Sequence, residues 1–257
     1  MVNLKGITTV LLDIEGTICP ISFVKDVLYP YALDSLPSVL EQKWNSSDFS
    51  PYQSAFSSDV QVSSAALLAH VQRLSASDVK DPALKKLQGY LWRTGYESGF
   101  IVTPLFPDVS PRLKQWKDSG LRLAIFSSGS VEAQKLFSKY VGVDQVVREG
   151  ETEGQKTEDL NPLFEGNYDT VNAGPKMEKG SYELIAKEMG LKVGEVLFLS
   201  DNVKEIQAAK EAGMQALLVD RPGNAPLTEE DLKTHSLVRS LDEVEIVPNI
   251  ADVLMNA

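Results

Sequence analysis

Residues 7–17 read Ile-Thr-Thr-Val-Leu-Leu-Asp-Ile-Glu-Gly-Thr. The run from Ile7 to Leu12 is entirely β-branched or leucine, and it stops abruptly at Asp13, Glu15 and Gly16. A short apolar run closed by polar residues and glycine predicts a buried strand that opens into an acidic loop. Further strands of the same kind follow downstream. Leu121–Phe126 is closed by Ser127-Ser128-Gly129-Ser130, Val196–Ser200 by Asp201, and Ala216–Val219 is a shorter run. Helical patterns separate them: Val109–Lys117 stopping at Gly120, Val131–Tyr140, Tyr182–Met189 stopping at Gly190, and Val203–Ala212 stopping at Gly213. Glycine just past a helix is a stop signal. Strands alternating with helices predict an α/β fold with a doubly wound, Rossmann-like parallel sheet.

The stretch between the first strand and Pro104 reads differently. Ile21–Trp44 is helix-like but carries Pro30 and Pro37, which predict breaks. Asn45–Ser64 is rich in Ser and Asp and reads as loop. Ala65–Leu74 places Leu67, Leu68, Val71 and Leu74 on one helical side. Asp81-Pro82 is a start signal for a helix carrying Leu84, Leu87, Tyr90 and Leu91 and ending near Gly95 or Gly99. The expected organisation is a core of residues 1–19 and 104–257, with an α-helical cap domain over 20–103. A segment from Gly150 to Gly166, acidic and turn-rich, reads as an exposed excursion.

Composition narrows the function. The chain has 257 residues and a net charge of −11, from 25 Lys and Arg against 36 Asp and Glu. Its 43% hydrophobic content is ordinary for a globular protein. An acidic chain with no dense basic block is not expected to read nucleic acid. No apolar run approaches the length of a membrane span. The apolar N-terminal run stops at Asp13 and Glu15 with no small-residue cleavage site, so it does not read as a signal peptide. Cys19 is the only cysteine and His70 and His235 the only histidines, which excludes a disulfide scaffold and argues against a Cys/His zinc site. A soluble intracellular protein is expected.

Ligands of doubly wound sheets bind beyond the carboxyl ends of the strands. Three predicted strand ends carry polar chemistry: Asp13 with Glu15, Ser127 with Ser128, and Asp201. One carboxylate of the first pair is able to attack phosphorus and form an acyl phosphate. The other is able to protonate the leaving oxygen and then deprotonate water. Three acids around an anionic phosphate call for a hard cation, and Mg2+ suits carboxylate, carbonyl and water ligands. Ser127 offers a hydroxyl, and the amides of Ser128 and Gly129 an anion nest. Lys176, after Gly174-Pro175, brings a point charge to a phosphate. The helical insert is expected to exclude water and shape the substrate pocket. Taken one at a time, most of these residues have ordinary readings as caps or solvated side chains. Cys19 lacks an evident activating partner for a nucleophilic thiol.

Asp13-Ile14-Glu15-Gly16-Thr17, Ser127-Ser128-Gly129-Ser130, Lys176 and Ser200-Asp201-Asn202 come in the order of the four motifs of the haloacid dehalogenase (HAD) superfamily. More closely, the sequence resembles the enolase-phosphatase (acireductone synthase) family of methionine salvage. Pro20–Lys25, Leu87–Tyr90, Ser130–Lys135 and Arg221–Ala225 add to the likeness, which spans Leu11 to Ala225. The resemblance implies Mg-assisted enolisation of 2,3-diketo-5-methylthiopentyl-1-phosphate, followed by phosphate removal to give the acireductone. It implies a monomer of the cytoplasm and, in eukaryotes, also the nucleus. Carried over by position, Asp13 is the nucleophile and a metal ligand. Glu15 stands at the acid/base position and offers its backbone carbonyl to the metal, and Asp201 is the other metal ligand. Ser127, Ser128 and Lys176 bind phosphate or substrate. Glu15 departs from the aspartate usual in superfamily phosphatases, and Glu205 stands where a second aspartate is usual, either behind the metal ligands or paired with Lys176. The enolisation base is left between Glu15 and a cap residue. Two other readings are a different hydrolase of the superfamily and a non-catalytic scaffold. The acids Asp13, Glu15 and Asp201 count against a dehalogenase, and Asp13 with Asp201 against a scaffold.

Overall fold

The computed structural model describes residues 1–77, 79, 81–143 and 156–247. The chain divides into two compact units, one of residues 22–102 and the other containing residues 1–21 and the described residues from 103 onward.

The α/β unit is built on its strands. β1 (Val2–Lys5) pairs in parallel with β10 (Val244–Val247) in a small sheet. β2 (Thr9–Leu12) is central in the main sheet and fully buried. The other members are β3 (Arg122–Phe126), β6 (Phe164–Tyr168), β7 (Val196–Ser200), β8 (Gln215–Val219) and β9 (Leu237–Val238). The sheet order is β6-β3-β2-β7-β8-β9, and every pair in it is parallel. β4 (Val141–Gly142) and β5 (Thr157–Glu158) form a separate antiparallel pair. β3 and β7 flank β2, so the loops after all three open at one edge of the sheet.

The helical unit is held together by its own core. A π-helical turn over Phe23–Leu28 runs directly into α1 (Tyr29–Lys43). α2 (Ser50–Gln53), α3 (Ser64–Ala76) and α4 (Pro82–Glu97) follow. Ala32, Leu36 and Leu40 of α1 recur at helical spacing and pack with Phe49, Phe56, Leu67, Val71, Leu84, Leu87 and Leu91. Asp81 caps α4 by accepting from the Leu84 amide at 2.8 Å, with Pro82 in the first turn, as the sequence predicts. Trp92 Nε1 donates to the Leu28 carbonyl at 2.7 Å. Gly95 is required by contact: a Cβ there would lie 2.5 Å from Ile101 and 2.7 Å from Tyr31.

α5 (Val109–Asp118), α6 (Val131–Lys139), α7 (Lys179–Glu188) and α8 (Val203–Ala212) cover the main sheet, and the short α9 (Glu229–Thr234), which buries no residue, precedes β9. Tyr182, wholly buried, stacks edge-on against Phe126 and Phe198 and joins α7 to the sheet.

Two expectations are corrected, and a third is given detail. Pro30 and Pro37 do not break the first helix. Pro30 stands where the π-helical turn passes into the first turn of α1, and Pro37 falls on the exposed side while the opposite side stays buried. The loop expected over residues 45–64 contains the short helix α2. The segment from Gly150 to Gly166, expected as an exposed excursion, is exposed or half-buried at every described residue except Leu160. Beyond residues 150–155, which lie outside the described residues, it holds β5, a 3-10 turn over Asn161–Leu163 and the first residues of β6. Among the described residues no helix is long and apolar enough to cross a membrane.

Candidate active site

The centre of the site is a buried ion cluster at the carboxyl end of β2. The Asp13 amide donates to the Leu199 carbonyl of β7 at 2.9 Å, which fixes the residue one step beyond the strand. Lys176 Nζ lies 2.7 Å from Asp13 Oδ1 and 2.7 Å from Glu205 Oε2. Ser200 Oγ lies 2.8 Å from Glu205 Oε2 and 3.4 Å from Asp13 Oδ2. Asp13, Lys176 and Glu205 are 6%, 8% and 7% exposed, so water hardly screens these charges.

The loop that brings Lys176 is itself fixed. Gly174 adopts φ +97°, Ser181 Oγ donates to the Pro175 carbonyl at 2.7 Å, and Tyr182 donates its hydroxyl to the Lys176 carbonyl at 2.6 Å. The ammonium also stands over the Phe126 ring, 5.7 Å from its centroid. Lys176 is therefore a positioned buried charge rather than a solvated lysine.

Charge in the cluster is out of balance. Burial would lower the Lys176 pKa, but the charges of Asp13 and Glu205 hold it above the usual lysine value. Burial and the charge of Asp13 push Glu205 up to about 7, against the opposing pull of Lys176 and Ser200. Burial, then Asp13, push Asp201 up to about 7, with Glu15 adding to the effect and Lys176 opposing it. One ammonium does not neutralise three acids in a shared low-dielectric site.

Asp201 follows β7, and its carboxylate rests on the main chain after Asp13. A Cβ at Gly16 would lie 2.5 Å from Asp201 Oδ2 and 2.9 Å from Asn224 Oδ1, and Gly16 adopts φ +72°. Glycine is required there on both counts. Asn224 Nδ2 donates to the Gly16 carbonyl at 2.9 Å and to the Val219 carbonyl at 3.3 Å, while its Oδ1 is buried with no hydrogen-bond partner among the described residues. Among the described residues no three acidic, His or Cys side chains converge as a ready-made metal cage. Mg2+ does not require one, because it is held by one or two carboxylates with water and substrate phosphate completing the shell. Two carboxylates with unneutralised charge and an orphaned buried oxygen fit such a cation.

Ser127 and Ser128 follow β3, beside β2. The Ser127 amide donates to the Tyr168 carbonyl at 3.1 Å. The expected anion nest is narrower than the sequence implies. The Gly129 amide donates to Ser127 Oγ at 3.3 Å, and the Val131 amide donates to the buried carboxylate of Asp169 at 3.0 Å. An aspartate already occupies the first turn of α6, because a helix start binds any anion, including the chain's own.

Glu15 lies past the end of β2, half-buried, in a β-bridge with Cys19. Cys19 is buried, and burial with the charge of Glu15 pushes its thiol well up, which opposes a thiolate.

A second buried pair supports the same loop. Arg221 donates from both terminal nitrogens to Asp108, at 2.9 and 2.8 Å, and from Nε to the Thr17 carbonyl at 3.1 Å. Asp108 Oδ2 also accepts from the Leu241 amide at 2.6 Å. The site reading from the sequence assigned no role to Arg221, Asp108, Asn224 or Ser200. Arg221 and Asn224 carried a signal within Arg221–Ala225, and Ser200 within Ser200-Asp201-Asn202, as stretches of family likeness; Asp108 carried none.

A family model described as haloacid dehalogenase-like hydrolase matches residues 7–213. A Neurospora crassa protein named enolase-phosphatase E1 is 52% identical over 240 residues, covering 93% of this chain and 97% of that protein. The protein of the same name from Botryotinia fuckeliana is 52% identical over 241 residues, covering 93% and 94%. The chain belongs to the enolase-phosphatase family of haloacid dehalogenase-like hydrolases. The crystal structure of the UTR4 protein of Saccharomyces cerevisiae superposes with a TM-score of 0.78 at 42% identity, over 91% of this chain and 98% of that one. CbbY from Rhodobacter sphaeroides, solved in complex with phosphate, shares the fold with a TM-score of 0.57 at 17% identity. This membership fits the parallel sheet, the order of the strand-end loops and a phosphatase.

Proposed function

We propose that this chain is a bifunctional enolase-phosphatase. It converts 2,3-diketo-5-methylthiopentyl-1-phosphate, through the enol phosphate, to 1,2-dihydroxy-3-keto-5-methylthiopentene and phosphate. The observation that carries the reading is the Asp13–Lys176 pair at the end of the central strand, in a chain 52% identical to named enolase-phosphatases over nearly its whole length.

Asp13 is the nucleophile. Its Oδ1 is pinned by Lys176 at 2.7 Å, while among the described residues Oδ2 has only the 3.4 Å contact with Ser200. Oδ2 is thus the oxygen free to attack phosphorus. The new Oδ2–P bond forms as the P–O bond to the enol breaks, and Glu15 donates a proton to the departing oxygen. Glu15 then takes a proton from water, the water oxygen attacks phosphorus, and Asp13 is released as carboxylate with inorganic phosphate. Lys176 offsets charge on the phosphoryl oxygens, and Ser127 with the Ser128 amide binds them. Mg2+ held by Asp13, Asp201 and the Glu15 carbonyl would supply Lewis acidity for the enolisation and balance the acids. The helical unit of residues 22–102 is proposed as the cap that excludes water. The proposed setting is a monomer in the cytoplasm and, in eukaryotes, the nucleus, acting on a small phosphorylated diketone.

The test is phosphate release from the diketone phosphate, with Mg2+ and with chelator, while the enol is followed by ultraviolet absorbance. Rapid Mg2+-dependent release through a transient enol, with little action on an aryl phosphate, is the expected outcome. Release from the aryl phosphate alone would assign the site to a different phosphate ester.

A further inference from the structure

Asn224 stands out among the buried polar groups near the strand ends. Its amide is oriented without ambiguity. Nδ2 donates to two main-chain carbonyls, Gly16 at 2.9 Å and Val219 at 3.3 Å. Flipping the amide would set Oδ1 against both of those oxygens and lose both bonds. Oδ1 is therefore committed away from those carbonyls, where it is buried and accepts nothing from the described residues. A buried amide oxygen left unpaired costs free energy, and native proteins rarely leave one so.

Another acceptor crowds the same glycine. The point where a Gly16 Cβ would stand is 2.9 Å from Asn224 Oδ1 and 2.5 Å from Asp201 Oδ2. Two oxygens with no donor between them repel unless something positive or protic joins them. Asp201 is an assigned ligand of the proposed cation, so the joining group has a ready identity. A water on a divalent cation is a strong donor, and it reaches an oxygen just beyond the carboxylates.

We infer that Asn224 Oδ1 accepts a hydrogen bond from a water of the divalent cation, which makes Asn224 an outer ligand that also ties the Gly16 carbonyl. The inference rests on the cation site of the proposed function. Asn224 does two things with two different atoms. Nδ2 fixes the loop that follows Asp13, and Oδ1 fixes the hydration shell. The loop Arg221–Asn224 thus contributes to cation binding although neither it nor β8 bears a carboxylate of the site.

Two variants separate the roles. Asn224→Ala removes both atoms, while Asn224→Asp keeps an oxygen at the position and loses the donor. The measurement is Mn2+ affinity of the full chain, by electron paramagnetic resonance of free Mn2+, with melting temperature in chelator as the check on folding. Asn224→Ala is expected to bind Mn2+ about 10-fold more weakly, the low end of what loss of an outer-ligand bond costs. Asn224→Asp is expected to recover most of that loss. Unchanged affinity in Asn224→Ala would overturn the inference. Equal weakening in both variants would overturn it too, by assigning the whole effect to the Gly16 tie. Mn2+ binding by the wild type that Asp201→Asn abolishes establishes the cation site itself. Failure of the wild type to bind any Mn2+ would sink the cation reading and this inference with it.

Discussion

Among its described residues the α/β unit holds two buried ion clusters, and they are built to opposite plans. Around Arg221 every charge is matched. The guanidinium meets Asp108 through two bonds, its remaining donors reach the Thr17 and Arg239 carbonyls, and Asp108 accepts one further amide. Around Lys176 one ammonium faces Asp13 and Glu205, with Asp201 close enough to be pushed up by Asp13. The first arrangement is what stability alone demands of buried charge. The second is costly unless a ligand completes it, which marks it as the reacting centre. Both grip the same loop, Asp13–Thr17, one at its start and the other at its end.

The largest expected effect breaks the second cluster at the reacting atom. Asp13→Asn should abolish phosphate release, a loss of roughly 10^4-fold or more for a nucleophile. The fold should survive, because the amide keeps the shape and removes a charge from an overcrowded site. Turnover near wild type would refute the nucleophile assignment.

The next effect breaks the first cluster. Arg221→Met leaves Asp108 buried without its cation, and losing one partner of a buried pair costs about 3–5 kcal/mol. Urea unfolding should show it as a lower midpoint. A shift under about 1 kcal/mol would mean that water replaces the guanidinium and that the pair carries little.

The same pair has a pH signature. Burial would raise the Asp108 carboxyl, but hydrogen bonds from Arg221 and the Leu241 amide hold it below the usual aspartate value. A carboxyl depressed in the folded state contributes stability that is fully present above its unfolded pKa. That stability is lost as pH falls through the folded value. The wild type should therefore lose urea resistance in this acid window, and Asp108→Asn should show a shallower slope there. Equal slopes would place the acid sensitivity elsewhere.

These clusters also show what a sequence discloses. Asp13, Lys176 and Asp201 follow strands or glycine turns in a fixed order, so motif order finds them. The hydrophobic runs of β2, β3, β7 and β8 are fully buried in a parallel sheet and legible for that reason. β6 is not, because Phe-Glu-Gly-Asn-Tyr at the sheet's edge has neither alternation nor an apolar run. β1 and β10 pair across nearly the whole described chain, and no local pattern announces that. Arg221 and Asp108 are 113 residues apart and individually ordinary, so only the fold reveals the pair. α1 shows the opposite error: Pro37 suggests a break, but Ala32, Leu36 and Leu40 bury one side and the helix continues.

The smallest effect sharpens the comparison by its sign. Glu205→Gln keeps a side chain able to bond Ser200 and removes one negative charge from the crowded cluster. Burial and Asp13 push Glu205 up to about 7, above its unfolded value. A carboxyl raised on folding binds a proton more readily in the native state, so ionising it works against the fold. The penalty grows as pH rises from the unfolded value and is complete above the folded one. At pH 8 in chelator, Glu205→Gln should therefore be more stable than wild type, by roughly 1–3 kcal/mol, because the rise to about 7 already includes the attraction to Lys176. At pH 5, where the native glutamate is already protonated, the two should unfold together. Asp108→Asn, the same chemical change in the matched cluster, should destabilise at pH 8. Opposite signs for one substitution type in two buried pairs would establish that charge excess, not burial, distinguishes the reacting centre. Destabilisation in both would mean that Lys176 satisfies Glu205 fully and that the excess lies with Asp201 alone.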